Sequence, residues 1–166
     1  MYSKENNYAF IDSQNLNLGV KSLGWDLDFK KFRIHLRETH GITNAFLFIG
    51  YVQENQGLYA SLQKYGYILI FKPVLPDGKG SVKGNVDADL VLQAMIEYPN
   101  YDKALIVSSD GDFYSLVKYL YKKNKLKYVM SSYLETCSTL LKKSAKEKIL
   151  FMNNLKNKLE YKKNKL

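Results

Sequence analysis

Two carboxylates follow an apolar segment near the middle of the chain. Asp110 and Asp112 come just after the run 105–107 and two serines, with Gly111 between them. At the end of a buried strand such acids can hold Mg²⁺ or Mn²⁺, because these hard cations prefer oxygen ligands. A cation held there would orient a water, lower its pKa and stabilise the transition state of phosphodiester hydrolysis. Helix capping is the alternative, since Asp is favoured at the N-cap and stabilises the first helical turn.

Other acids fall at positions that favour the metal hypothesis. Asp12 ends the apolar run 8–11, and Asp87 opens a predicted helix. In a parallel sheet of strand order 3-2-1-4-5, strands 1 and 4 are neighbours where the order reverses, so their terminal acids share one crevice. Carboxylates so close repel each other, and a divalent cation offsets that repulsion. We therefore expect Asp12, Asp87, Asp110 and Asp112 to meet at one edge of the sheet.

The elements that position these acids follow from the apolar pattern. Residues 13–25 and 72–85 are predicted to be loops. Strands are predicted at 8–11, 45–52, 67–71, 104–107 and 126–130, and helices at 29–40, 58–65, 86–98, 113–123, 135–146 and 149–161. Alternating strands and helices imply right-handed crossovers and an α/β fold. We predict a three-layer α/β/α sandwich around a parallel five-stranded sheet, with C-terminal helices.

Length and composition bound the class of protein. The chain has 166 residues, 46% of them hydrophobic, which suits one main domain over 1–147. Residues 148–166 form a predicted basic helix and tail that packs on or extends this domain; pairing with a second copy, as a homodimer, is the alternative.

Because the chain has one cysteine, no apolar run near 20 residues and no signal-peptide core, we expect a cytoplasmic protein that does not engage membranes.

Positive charge is concentrated in the last third of the chain. The net charge is +9, and the segment from Lys118 onward contains 14 lysines against three acids. An excess of this kind favours an anionic partner, and nucleic acid is the obvious one. A solvated lysine-rich face is the alternative.

Three motifs together resemble the NYN domain family. They are Phe-Ile-Asp-Ser-Gln-Asn at 10–15, Lys-Gly-Asn-Val-Asp at 83–87 and Val-Ser-Ser-Asp-Gly-Asp-Phe at 107–113. More narrowly they resemble its bacterial LabA/DUF88-like branch, within the PIN-like nuclease superfamily. The resemblance covers roughly residues 6–146. It implies a PIN-like fold and a ribonuclease that depends on Mg²⁺ or Mn²⁺.

The resemblance also assigns roles to residues by position. The implied catalytic metal ligands are Asp12, Asp87, Asp110 and Asp112, with Asp89 as an outer residue. The expected substrate contacts are Asn15, Lys83, Asn85, Ser108 and Ser109. The expected partner is single-stranded RNA. The positive charge of the last third of the chain, and not the resemblance, predicts that the RNA backbone follows Lys118, Lys122, Lys123, Lys142 and Lys143.

Two other classes of function deserve comparison. An RNA-binding or regulatory module could keep this fold without significant turnover. A phosphotransfer domain is disfavoured: a dehalogenase-like enzyme needs an acid two residues after Asp12, where Gln14 stands. A receiver domain places its phosphoacceptor at the end of the third strand, which here reads Phe71-Lys72.

Overall fold

A computed structural model describes residues 4–73, 75–76, 82–83 and 86–163 of the chain. Short 3₁₀ turns join several of the elements. In chain order the elements are β1 (Asn7–Asp12), α1 (Ser13–Ser22), α2 (Phe29–His40), β2 (Ile42–Gly50), α3 (Gln56–Lys64), β3 (Tyr67–Lys72), β4 (Leu75–Pro76), β5 (Val82–Lys83), α4 (Asp87–Ile96), β6 (Ala104–Val107), α5 (Tyr114–Lys122), β7 (Leu126–Ser131), α6 (Thr139–Ala145), β8 (Ile149–Phe151) and α7 (Lys156–Leu159).

The main sheet runs β3-β2-β1-β6-β7-β8, and its neighbouring strands are parallel. The predicted α/β class, parallel sheet and strand order are confirmed, with β6 and β7 as the predicted fourth and fifth strands. The described sheet has six strands where five were predicted, because β8 adds to the edge of β7. The strand order reverses between β1 and β6.

Two hydrophobic cores cover the two faces of this sheet. Phe10 and Ile106 pack under α4, α5 and α6 in one core, whereas Ile11 and Leu105 pack under α1, α2, α3 and α7 in the other. Successive strand residues alternate between the faces, so apolar residues at every position serve both cores. The three layers follow from strands that are apolar throughout.

The segment after Asp12 forms α1, although the sequence predicted a loop there. Leu16 and Val20 lie one turn apart and are both buried, and Asp12 caps the helix. Gly19 had favoured a loop, but it lies where a Cβ would come within 2.2 Å of Ser132 Oγ. Glycine here allows close packing between α1 and the segment after β7.

The C-terminal segment also differs from the prediction of one helix over 149–161. Its first residues form β8 and pair with β7, and α7 covers only Lys156–Leu159. An exposed strand edge offers backbone partners that the apolar spacing of the segment does not reveal. The segment then docks on its own chain, where Leu159 O accepts a 2.8 Å hydrogen bond from Asp28 N.

The predicted loop 72–85 contains a short pair of antiparallel strands, β4 and β5.

None of the helices in the described ranges has the length and apolar character needed to cross a membrane.

Candidate active site

The crevice lies where β1 and β6 end side by side. Ile11 pairs with Val107 in the parallel register, so the residues that follow them leave the sheet together. Asp12 is the last residue of β1, and Asp110 lies in the turn after β6. Ligand sites in open α/β sheets form at such a reversal, outside the carboxyl ends of the strands.

Three carboxylates converge in this crevice and are called the acidic cluster: Asp87, Asp110 and Asp112. Each contributes an oxygen, and these three oxygens lie within 4.8 Å of one another. Asp87 and Asp110 are half-buried, whereas Asp112 is exposed. Oxygens that share one cation lie about 2.0–2.6 Å from it, so this spacing fits a shared hard cation.

Asp12 lies in the wall of the same cavity, but it is not part of the group within 4.8 Å. The cavity has a volume of about 280 Å³. Only 6% of the Asp12 surface is exposed, and this burial is the main reason that its pKa rises to about 6. The charges of Asp87 and Asp110 raise this pKa further, against hydrogen bonds from backbone N–H groups. A nearby cation would favour the ionised form.

Helix capping, the alternative to metal binding, also occurs here. Asp12 Oδ1 accepts a 3.2 Å hydrogen bond from Asn15 N, and Asp110 Oδ1 accepts a 2.9 Å bond from Asp112 N. A carboxylate has about four acceptor positions, so one capping bond leaves capacity for a cation. Capping and cation binding are therefore compatible at these acids.

Asp89 lies outside this arrangement. Its carboxylate forms a 3.3 Å salt bridge with Lys72 at the end of β3. Two residues apart on α4, Asp87 and Asp89 do not share a helix face. Asp89 thus has its own counter-ion.

Of the described polar residues predicted to contact substrate, Asn15 lines the acidic cavity, whereas Ser108 and Ser109 do not. Ser109 N donates to Asn15 Oδ1 at 2.8 Å, and Asp110 N donates to Ser108 Oγ at 3.1 Å. Ser109 Oγ lies 2.7 Å from Ser131 Oγ. Ser108 and Ser109 are buried, so in this structure their bonds hold the loop that carries Asp110.

The second motif can be placed only in part. Asn85 lies outside the described residues, and Lys83 is described only as part of the backbone of β5.

Sequence reasoning missed residues that line the acidic cavity: Gln14, Leu18 and Val86. Leu18 is 59% exposed, so an apolar side chain stands at the rim. Recognising that Asp12 caps a helix would have placed Gln14 and Leu18 near the site, because both then fall in its first two turns.

Three of the five predicted lysines line a second cavity, which shares no lining residue with the acidic cavity. This cavity, of about 520 Å³ between α5 and α6, is called the α5–α6 groove. Its lining residues are Tyr114, Lys118, Tyr121, Lys122, Leu140, Lys143, Ser144 and Lys146. The other two predicted lysines do not line this groove. Lys123 Nζ lies 5.8 Å from the centroid of the Tyr119 ring, and Lys142 Nζ donates to Leu134 O at 3.5 Å. Lys146 was not predicted.

The two histidines are among the residues that line a further cavity, of about 460 Å³. His40 packs edge-on against His35 and Tyr128, with ring centroids 5.4 and 5.9 Å away. Burial lowers the pKa of His40 to about 4. His40 is therefore neutral at physiological pH and packs between two aromatic rings.

Comparisons with known proteins agree with this architecture. A family model described as NYN domain matches residues 8–153. A solved structure of a protein of unknown function from Vibrio parahaemolyticus has a TM-score of 0.74 at 22% identity, covering 92% of this chain and 96% of that one. At this identity the likeness shows the fold alone. No curated protein matches the chain in sequence.

Proposed function

The chain belongs to the NYN domain family, a PIN-like nuclease family, and on that premise we propose that it is a metal-dependent ribonuclease. Its reaction is hydrolysis of RNA phosphodiester bonds at the acidic cluster. The observation that carries the proposal is the approach of three carboxylate oxygens to within 4.8 Å at the reversal of the sheet.

The donor set fits Mg²⁺ or Mn²⁺. Asp87, Asp110 and Asp112 offer only oxygen atoms, and Asp12 adds a carboxylate from the cavity wall. Hard divalent cations prefer such ligands to the nitrogen and sulfur ligands typical of zinc. A bound cation would supply Lewis-acid stabilisation of the scissile phosphate and the attacking water.

The chain's own residues give this site its shape and charge. Buried Asp12, whose pKa is about 6, gives up its proton near neutral pH and then adds negative charge to the crevice. The bond from Ser109 N to Asn15 Oδ1 ties the end of β6 to the start of α1. The acids therefore stand in place before substrate arrives, which avoids reorganisation during the reaction.

The test is hydrolysis of single-stranded RNA with Mn²⁺ by wild type, Asp110→Asn and Asp112→Asn, purified identically. Asp26→Asn is the matched control, because Asp26 is exposed and follows the far end of α1. Losing a residue that only orients a metal ligand costs about 10- to 100-fold. We expect Asp110→Asn to cost more than this, because Asp110 is a proposed direct ligand, and Asp112→Asn to lower the rate strongly. Equal rates for wild type and Asp110→Asn would contradict the proposal.

An RNA-binding or regulatory module without significant turnover is the second candidate. The observation that favours it is the α5–α6 groove, whose lysines can bind a phosphate backbone without help from the acidic cluster. Measuring RNA binding without metal beside the hydrolysis assay separates the two functions. RNA binding without metal, together with no hydrolysis that depends on Asp110, would establish the module.

Finer assignments complete the proposal. The three motifs favour the LabA/DUF88-like branch, and composition favours a cytoplasmic protein. Single-stranded RNA is the proposed substrate. The homodimer and the division at residue 147 stay predictions.

A further inference from the structure

The α5–α6 groove combines positive charge with apolar rings. Four lysines line it together with Tyr114, Tyr121 and Leu140, and Tyr114 is 42% exposed. Grooves that bind single-stranded nucleic acid pair cationic side chains with aromatic platforms for the bases. The composition of this groove therefore suits a single-stranded nucleic acid, which has a flexible polyanionic backbone and flat bases.

The groove begins beside the acidic cluster. Tyr114 is the first residue of α5 and lies two positions after Asp112. Ser138, just before α6, donates its backbone N–H to Ser109 O at 3.1 Å. A Cβ at Gly111 would lie 2.4 Å from Ser138 Oγ. Both helices therefore start next to the acids.

One face of α5 carries the groove away from that starting point. Tyr114, Lys118 and Lys122 are spaced four residues apart and so lie along one side of the helix. At 1.5 Å per residue this stripe spans about 12 Å. Lys143 and Ser144 of α6 line the same cavity. Along this stripe the ring of Tyr114 is nearest the acids, and the ammonium groups of Lys118 and Lys122 follow it.

The lysines of the groove have no carboxylate among the lining residues. Within the described ranges, no salt bridge involves Lys118, Lys122, Lys143 or Lys146. Glu147 accepts hydrogen bonds from Tyr121 Oη at 3.0 Å, and Lys146 Nζ lies 4.8 Å from the Tyr121 ring centroid. A bound polyanion would relieve the repulsion among these ammonium groups.

We propose that the α5–α6 groove binds the segment of single-stranded RNA that flanks the scissile phosphate on one side. An unpaired base stacks on Tyr114, and the adjoining phosphates contact Lys118, Lys122, Lys143 and Lys146. The inference rests on the proposed function, since it places the substrate of the acidic cluster. Duplex RNA does not fit this role, because its bases are already stacked and paired.

The test is binding of a labelled single-stranded RNA to the full chain, without divalent metal, across a range of salt concentrations. Because stacking of one base is worth about 1–3 kcal/mol, Tyr114→Ala should weaken binding about 5- to 150-fold. Tyr114→Phe keeps the ring and should retain wild-type affinity. Tyr65→Ala is the matched control, since Tyr65 is 37% exposed and follows the far end of α3.

Lysine variants test the backbone contacts separately. Lys118→Gln and Lys146→Gln should each lower the slope of log affinity against log salt by about 0.7, the value for one phosphate contact with a single strand. Lys64→Gln, at the exposed end of α3, should leave the slope unchanged. Duplex RNA should bind with no dependence on Tyr114.

The outcomes separate this inference from the proposed nuclease. Unchanged affinity and salt slope in the Tyr114 and lysine variants would overturn the groove assignment, even if turnover depends on Asp110. Loss of binding in Tyr114→Ala, with wild-type affinity in Tyr114→Phe, would support it even if no Mn²⁺-dependent turnover is found.

Discussion

Ser109 N donates a 2.8 Å hydrogen bond to Asn15 Oδ1, across 94 positions of sequence. The bond joins the first turn of α1 to the loop that carries Asp110. Asp12 caps the same turn, so the bond links the carboxylates at the ends of β1 and β6. The side chain of Asn15 thus ties the loop that carries Asp110 to the helix that Asp12 caps.

Replacing Asn15 tests this link. Asn15→Ala removes the acceptor of this hydrogen bond. The N–H of Ser109 then loses its partner in a buried position, because Ser109 is only 8% exposed. We expect the free energy of unfolding to fall by about 1–3 kcal/mol. Asn15→Asp keeps an acceptor but adds charge beside the acids, so Mn²⁺ should stabilise it more than wild type. Urea unfolding with and without Mn²⁺ measures both, and equal stability of Asn15→Ala and wild type would contradict the link.

Asp12 makes the stability of the metal-free protein depend on pH. Its pKa is about 6 in the folded chain against an ordinary 3.8, so folding favours its protonated form. Its stabilising contribution is therefore complete below about pH 3.8 and is lost as the pH rises through about 6. The loss amounts to about 3 kcal/mol by pH 7.

Asp12→Asn should remove this dependence, because the amide stays neutral and its oxygen can still accept from Asn15 N. We expect the variant to gain stability relative to wild type between pH 4 and pH 7, measured by urea unfolding in EDTA. Asp26→Asn serves as the control and should follow the wild-type curve. Parallel curves for wild type and Asp12→Asn would show that Asp12 ionises normally.

Cation binding should raise the thermal stability of the folded chain. A ligand at 100 times its Kd adds about 2.7 kcal/mol to the free energy of unfolding. Mn²⁺ should therefore raise the Tm of wild type, and Asp87→Asn or Asp110→Asn should lose most of this rise. Asp89→Asn should keep most of it, because Asp89 pairs with Lys72. A full rise in Asp110→Asn would place the cation elsewhere.

Gly111 should not tolerate a side chain. A Cβ there would meet Ser138 Oγ at 2.4 Å and Ser138 Cβ at 3.0 Å. Gly111→Ala should lower the free energy of unfolding by about 1–3 kcal/mol through overpacking. Adding Ser138→Gly should recover most of this loss, since glycine at an N-cap costs only a few tenths of a kcal/mol. A double-mutant cycle by urea unfolding measures the coupling, and additive effects would rule out the contact.

Local patterns were sufficient where burial on both faces leaves a continuous apolar run. β1 and β6 were predicted because residues 8–11 of β1 and all of β6 belong to one or other of the two cores. Helix α1 was missed because Gly19 lowers helix propensity. The residue that Gly19 packs against, Ser132, is 113 positions away in sequence, so no local pattern reveals the contact. β8 was missed because its partner is the edge of β7, and strand pairing depends on neighbours more than on composition.

The sequence by itself determined which residues carry charge and where the chain alternates between strand and helix, since both are local properties. It thereby determined that Asp12 and Asp110 each follow an apolar strand, whereas the pairing of those two strands is a tertiary contact. Only the tertiary structure decided that Asp87, Asp110 and Asp112 approach within 4.8 Å while Asp12 is buried in the cavity wall. It also brought Lys118, Lys143 and Lys146 into one groove. Such distances and burial depend on packing between segments that are remote in sequence, and that packing sets the charge and affinity of the site.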